Sequence, residues 1–243
     1  MRFPQWRRGL SPKITENTLA SWPIVGFGTA NKEADLARYG GTVRNLIVSS
    51  AAATYSEGRT NHAPVDNAFI RTTDNDYFYH NGVGGQDSAS LQGSWTISFW
   101  AKRTGTDTDS FRNSVISYGG TTTSEFSGNN FQCLCGFLES TGELECFWEY
   151  SGGYNVQLLS GVVMPLNEWH LYTFRKNGTT DFKFYIDGEL VSTQTTATVQ
   201  TGGGTSPGQP IVNASGGGSA SVWWRFGATQ GAVNNFYGHT GSL

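Results

Sequence analysis

Three carboxylates stand close together in the stretch ELECFWE: Glu143, Glu145 and Glu149. Side chains alternate between faces along a regular strand, so all three fall on one side. Two carboxyls on one face are the equipment of glycoside hydrolysis, and a retaining reaction wants them about 5–5.5 Å apart. The neighbouring hairpin argues against that use. FQCLCGFLE and ELECFWEY flank the turn signal STG. Pairing Ser140 with Glu143 puts Cys133, Cys135 and Phe137 on one face with Leu144, Cys146, Trp148 and Tyr150. That face is apolar and is expected to be core, which leaves the three glutamates on the opposite, wetter face.

The other reactive residue types form no catalytic set. Three cysteines in 243 residues are an odd count and no disulfide framework. In the register above Cys135 is a diagonal neighbour of Cys146, but buried free thiols acting as small hydrophobes are the expectation. C-x-C without a histidine at ligand spacing does not make a zinc site. His62, His80, His170 and His239 are scattered, and no Ser-His-Asp or Cys-His grouping follows from their spacing. Asp74 and Asp76 in RTTDNDYF, and Asp107 and Asp109 in RTGTDTDSF, are short acidic loops that turn formation explains. Neither matches a full calcium motif. They are the metal candidates, and no cofactor other than calcium is expected.

Aromatic side chains are better suited to holding a ligand, because sugars stack their apolar faces on tryptophan and tyrosine. The candidates are Trp223, Trp224, Tyr150, Tyr154 and Tyr237. Trp223 and Trp224 are adjacent, so a strand sends them to opposite faces, one into the core.

The elements that must position these residues are strands. Charged residues are 14% of the chain and aromatics another 14%, with 32 glycines. That composition suits a β protein with many turns rather than a helical bundle. SWTISFWAK alternates, with Ile97, Phe99 and Ala101 on one face and Thr96, Ser98, Trp100 and Lys102 on the other. EWHLYTFRK and DFKFYIDG flank Asn177-Gly178, a second hairpin. In DFKFYIDGELV, Phe182, Phe184 and Ile186 share a face until Asp187-Gly188 turns the chain. Many short strands with almost no helix argue for a sandwich or barrel.

Residues 1–61 differ. They carry Arg2, Phe3, Trp6, Arg7, Arg8 and Lys13, a basic and aromatic cluster. NKEADLARYGG has Asn31 as an N-cap and Gly40-Gly41 as a stop, which predicts a short helix. VRNLIVSS predicts a strand. The segment has too few large apolar residues for a core of its own. It reads as an arm that docks elsewhere or, alternatively, wraps around the domain of residues 62–243.

The order of four motifs resembles the concanavalin A-like, laminin G-like family: WTISFWAK (95–102), NEWHLYTFRKNG (167–178), FYIDGELV (184–191) and RFGATQGAVNNFYGHTGSL (225–243). The resemblance covers residues 62–243. It implies an all-β fold, a jelly-roll-like sandwich of two antiparallel sheets, with an irregular N-terminal arm outside it. Members continue past the Phe236–Gly238 segment into a last strand, and here the chain ends at Leu243, so the source of that strand is open. Some glycoside hydrolases on this fold carry Glu-x-Asp-x-Glu. Here the middle acid is Glu145, and Glu149 comes two residues late, so the catalytic pattern fails.

The formal net charge is −3, which excludes a global basic field for nucleic acid. No stretch approaches the roughly 20 apolar residues of a membrane span. MRFPQWRRGLSPK has no apolar signal region. The family fold binds glycans or proteins outside cells, and a virus reconciles that use with cytoplasmic synthesis. The expectation is a non-enzymatic virion protein, a head decoration, fibre or tail adhesin. Its N-terminal arm would attach to capsid or tail proteins, and its sandwich would meet a host-surface glycan, in an oligomeric setting. A glycoside hydrolase, a lectin domain of a secreted cellular protein and a ligand-free cement protein are the alternatives.

Overall fold

The computed structural model describes residues 32–33, 46–48, 54–57, 67–70, 78–81, 93–105, 112–119, 133–138, 140–150, 154–179, 181–196, 199–201, 223–227 and 238–240. The strands in chain order are β1 (Lys32–Glu33), β2 (Leu46–Val48), β3 (Thr54–Glu57), β4 (Asn67–Ile70), β5 (Phe78–Asn81), β6 (Trp95–Arg103), β7 (Arg112–Gly119) and β8 (Cys133–Leu138). They continue with β9 (Glu143–Tyr150), β10 (Tyr154–Val163), β11 (His170–Asn177), β12 (Asp181–Ile186), β13 (Glu189–Gln194), β14 (Val199–Thr201), β15 (Trp223–Phe226) and β16 (Gly238–Thr240). They form two sheets. One has nine strands in the order β1-β2-β5-β15-β7-β8-β9-β10-β14, the other seven in the order β13-β12-β11-β6-β16-β4-β3. All neighbours within the sheets pair antiparallel.

The period-two pattern decides which side chains meet between the sheets. From the seven-stranded sheet come Phe99, Ala101, Tyr172, Phe174, Phe182 and Phe184; from the nine-stranded sheet come Tyr118, Phe137, Leu144, Trp148, Val156, Leu158 and Trp224. Trp148 stacks on Phe182 across the gap, with centroids 5.9 Å apart. Phe99 stacks on Phe174 of the neighbouring strand at 5.6 Å. Full burial of one such side chain stabilises by about 1.5–3 kcal/mol, so this layer holds the sandwich together.

Three sequence expectations change here. The β8–β9 hairpin pairs Cys135 with Cys146 and Phe137 with Leu144, two residues away from the register expected from the turn. An even slip keeps every side chain on its face, so the apolar row stays in the core. The turn is longer than STG alone: Gly142 adopts φ +72 and donates to the Leu138 carbonyl at 2.7 Å. Second, Lys32 and Glu33 pair with Ile47 and Leu46 rather than opening a helix after Asn31. Strand partners supplied by the fold override a weak local helix signal. Third, β1 and β2 extend the nine-stranded sheet and β3 pairs with β4, so residues 32–57 contribute strands to both sheets. Residues 1–31 lie outside the described residues. The strand β16 begins within the Phe236–Gly238 segment itself and sits between β6 and β4.

Candidate functional site

The acidic strand β9 was the strongest catalytic candidate, and its surroundings bind it into the fold. Glu145 is on the face away from the core, as alternation requires, yet it is 0% exposed. This corrects the expectation of a wet face. The Gln157 side chain on β10 donates to Glu145 Oε1 at 2.6 Å. Glu143 is half-buried and its Oε1 accepts from the Gly161 backbone N–H. Gly161 has φ +75 and the β9–β10 register shifts between Leu159 and Val163, so Glu143 closes a bulge. The Glu149 side chain is outside the described residues. Nothing about Glu143 or Glu145 resembles an acid aimed at an open groove.

Two cross-strand rows line that same outer face. One runs Arg225, Ser117, Leu134, Phe147 and Gln157; the next runs Ser114, Gly136, Glu145 and Leu159. All but Gln157 and Leu159 are buried. The outer face therefore carries a cation, a carboxylate, two hydroxyls and an amide among apolar groups. Sequence reading missed it, because alternation assigns a face but not what covers it.

The Asp-Gly turn does more than reverse the chain. Asp187 holds φ 53, a left-handed conformation that Asp tolerates better than most residues. Its Oδ1 accepts from the Leu171 N–H at 3.0 Å, and its own N–H donates to the Leu171 carbonyl at 2.8 Å. Its Oδ2 lies 2.7 Å from His170 Nδ1, and His170 Nε2 lies 3.3 Å from Glu168 Oε2. The turn after β12 is thereby clasped to the start of β11. His170 is part of the clasp that holds the turn.

The three cysteines are all free and buried. Their Sγ atoms lie within 4.8 Å of one another, with Cys135 and Cys146 at 3.6 Å. Hydrogen bonds from the other two thiols pull Cys133 down, while burial pushes Cys135 and Cys146 well up. Lys176, only 2% exposed, is a buried cation beside them. Its Nζ donates to the carbonyls of Gly93 at 3.1 Å and Gly178 at 2.5 Å.

The aromatic candidates divide. Trp224 is 3% exposed and packs on Tyr118 with centroids 4.9 Å apart, so it is a core residue and not a ligand contact. Alternation sends it inward, as it must send one of the pair. Tyr150 and Tyr154 are direct partners across β9 and β10, at the end of the row that contains Trp148 and Val156. The side chains of Tyr150, Tyr154 and Trp223, and all of Tyr237, are outside the described residues. So are Asp74, Asp76, Asp107 and Asp109, and Arg2, Phe3, Trp6, Arg7, Arg8 and Lys13.

Two antiparallel sheets with these faces define a lectin-type β-sandwich. A family model described as the concanavalin A-like lectin/glucanases superfamily matches residues 72–237, and the chain belongs to that superfamily. No curated protein matches the chain. Among solved structures it is similar to domain 4 of AbnA, an extracellular arabinanase from Geobacillus stearothermophilus, in complex with arabinotriose. The TM-score is 0.53 at 12% identity, covering 92% of this chain and 88% of that one. It is also similar to the binding domain of paraclostridial mosquitocidal protein 1, with TM-score 0.49, 14% identity and 94% of this chain covered. The botulinum neurotoxin serotype D binding domain gives TM-score 0.49 at 13% identity over 95% of this chain. The chain spans about half the length of these two toxin domains, 49% of each.

Proposed function

We propose that this chain is a recognition module that binds a surface glycan or receptor and does not hydrolyse it. The superfamily holds both lectins and glucanases, so the deciding question is what the acidic strand does. The observation that carries the reading is the state of Glu145, fully buried and held by Gln157, with Glu143 tied to the Gly161 backbone. A general acid or nucleophile must reach the substrate; these two serve the sheet. The fold shared with domain 4 of the arabinanase, solved with arabinotriose, supports a saccharide as the ligand class by analogy of fold alone. Trp223, Tyr150, Tyr154 and Tyr237 remain the aromatic candidates for stacking on it.

The setting we propose is a virion, as a head decoration, fibre or tail adhesin. The basic and aromatic cluster Arg2, Phe3, Trp6, Arg7, Arg8 and Lys13 supports this as an attachment arm to capsid or tail proteins. Calcium remains a proposal on Asp74, Asp76, Asp107 and Asp109, tested by repeating each binding measurement with chelator.

The test is a glycan array and a host-cell binding assay with the full chain, alongside a hydrolysis assay on whatever binds. Saturable binding without product release is the expected result, weakened by alanine at Trp223 or Tyr154. Glycan cleavage that Glu143→Gln or Glu145→Gln abolishes in folded protein would replace this reading with the hydrolase. Adding the full chain and a chain lacking residues 1–31 back to stripped particles tests the arm; equal retention of both would remove it.

A further inference from the structure

We infer that Cys133, Cys135 and Cys146 form a buried site for one thiophilic d10 metal ion, zinc(II) or copper(I), held by three thiolates. The strand register builds the site. Cys133 and Cys135 are two apart on β8 and so share the core face, and Cys146 on β9 pairs directly with Cys135. Cys133 then sits diagonally from Cys146, where cross-strand side chains still meet. Sequence spacing alone hides this, because Cys146 comes from the far side of the turn.

The geometry fits. With Cys135 Sγ and Cys146 Sγ 3.6 Å apart and all three sulfurs within 4.8 Å, the point equidistant from them is at most about 2.6 Å from each. A zinc–thiolate bond is about 2.3 Å, so closing the triangle needs side-chain shifts of a few tenths of an ångström. A narrow void lined by Ile97, Ile116, Tyr118 and Trp224 adjoins Cys133 and Cys135 and is too small to admit water.

Donor chemistry sets the class of ion. Three sulfurs with no oxygen donor in the group reject calcium and magnesium and select soft ions. Charge points the same way. Three thiolates with a divalent ion leave one negative charge, and Lys176 is a buried cation whose charge favours the anionic cluster. Each metal–sulfur bond forms as a thiol gives its proton to solvent, so binding releases protons and no electron moves. A closed zinc site ordinarily has four ligands, whereas copper(I) is satisfied by fewer, which is why both ions enter the test.

The full chain, reduced and free of oxygen, would be titrated with zinc(II) and separately with copper(I) against a chromophoric chelator. Each ion would be added to folded protein and also during refolding. The expected result is one equivalent bound, with X-ray absorption showing sulfur-only ligation near 2.3 Å. At a hundredfold excess over Kd the unfolding midpoint should rise by about 5–10 °C. Whichever ion survives chelator competition names the metal. Cys146→Ala should abolish binding, and should it fail to fold, the absorption spectrum of the wild-type chain decides alone. The inference is overturned if neither ion binds reduced protein with three countable thiols, if ligation includes nitrogen or oxygen only, or if the chain prepared in air holds a Cys135–Cys146 disulfide in place of metal.

Discussion

At the scale of single residues, Asp187 shows how one side chain can be both turn and clasp. Its dipeptide with Gly188 was legible as a turn, because both residues accept positive φ. Its bonds to Leu171 and His170 were not legible, because those partners lie across a strand pair that sequence spacing does not reveal. Asp187→Ala removes a charge-assisted bond at a half-exposed position and keeps the left-handed φ without compensation. It should cost about 2–3 kcal/mol, while Asp187→Asn, which tolerates that φ, should cost about 1. Chemical denaturation of the two variants checks the order; equal losses would mean that tolerance of the left-handed φ contributes nothing and that the carboxylate charge carries the whole effect. Tyr172 gives a prediction in pH. Its buried hydroxyl has no hydrogen-bond partner among the described residues, and burial, helped by the Asp187 charge, pushes its pKa well above the ordinary 10.0. A raised pKa means the unfolded chain gives up the proton first, so this stability is whole below about pH 10 and is lost as pH climbs. Cys135 and Cys146, also pushed up by burial, act in the same direction from an ordinary 9.0. Lys176, lowered by burial from 10.5, acts oppositely. Tyr172→Phe should therefore match or slightly exceed wild-type stability at pH 7, and its stability should fall less steeply between pH 9 and 11. A steeper fall in urea midpoints over that range would refute the assignment.

At the scale of elements, alternation was the dependable signal and register was not. The face of Phe99, Phe182, Phe184 and Trp148 followed from period two, and all four are in the core. Alternation failed only where it was taken to mean solvent: Glu145, assigned to a wetter face, is fully buried, and Trp100 and its partner Leu171 are likewise buried on the outer face of the seven-stranded sheet. The β8–β9 register moved by two because Gly142, not Ser140, sets the turn. That glycine is needed twice over. Its φ of +72 disfavours any Cβ, and a Cβ built there would meet Arg103 Nη1 at 2.4 Å. Arg103 has little room to retreat, since its guanidinium lies over the Phe137 ring, 4.8 Å from the centroid. Gly142→Ala should lose about 2–4 kcal/mol, combining backbone strain with displaced packing. A double-mutant cycle with Arg103→Ala separates the two, because removing the guanidinium relieves the contact but not the φ. Strict additivity of the two changes would show that Arg103 never constrained the turn.

At the scale of the whole molecule, the two-sheet sandwich was legible from motif order, whereas the partition of the chain was not. Residues 1–61 looked core-poor, and the strands described within them sit at sheet margins: β3 ends the seven-stranded sheet, and β1 and β2 end the nine-stranded one. Edge strands need few large apolar residues, because they borrow a core rather than enclose one. The consequence is a test of where the domain begins. A chain starting at residue 32 keeps β1, β2 and β3 and should unfold as cooperatively as the full chain, with its midpoint within about 2 °C, a shift worth about 0.5–1 kcal/mol. A chain starting at residue 62 uncovers the free edges of β4 and β5, which should make it less stable and prone to self-association. Removing residues 238–243 should be worse than either. β16 is the only described strand joining β6 to β4, so its loss parts β3 and β4 from the rest of their sheet. Thermal unfolding with light scattering on the three truncations decides it. If the chain from residue 62 matches the full chain in midpoint and stays monodisperse, residues 32–57 add nothing to the sandwich and the whole segment is an arm. If it aggregates while the chain from residue 32 does not, residues 32–57 belong to the sandwich and the proposed attachment arm shortens to residues 1–31.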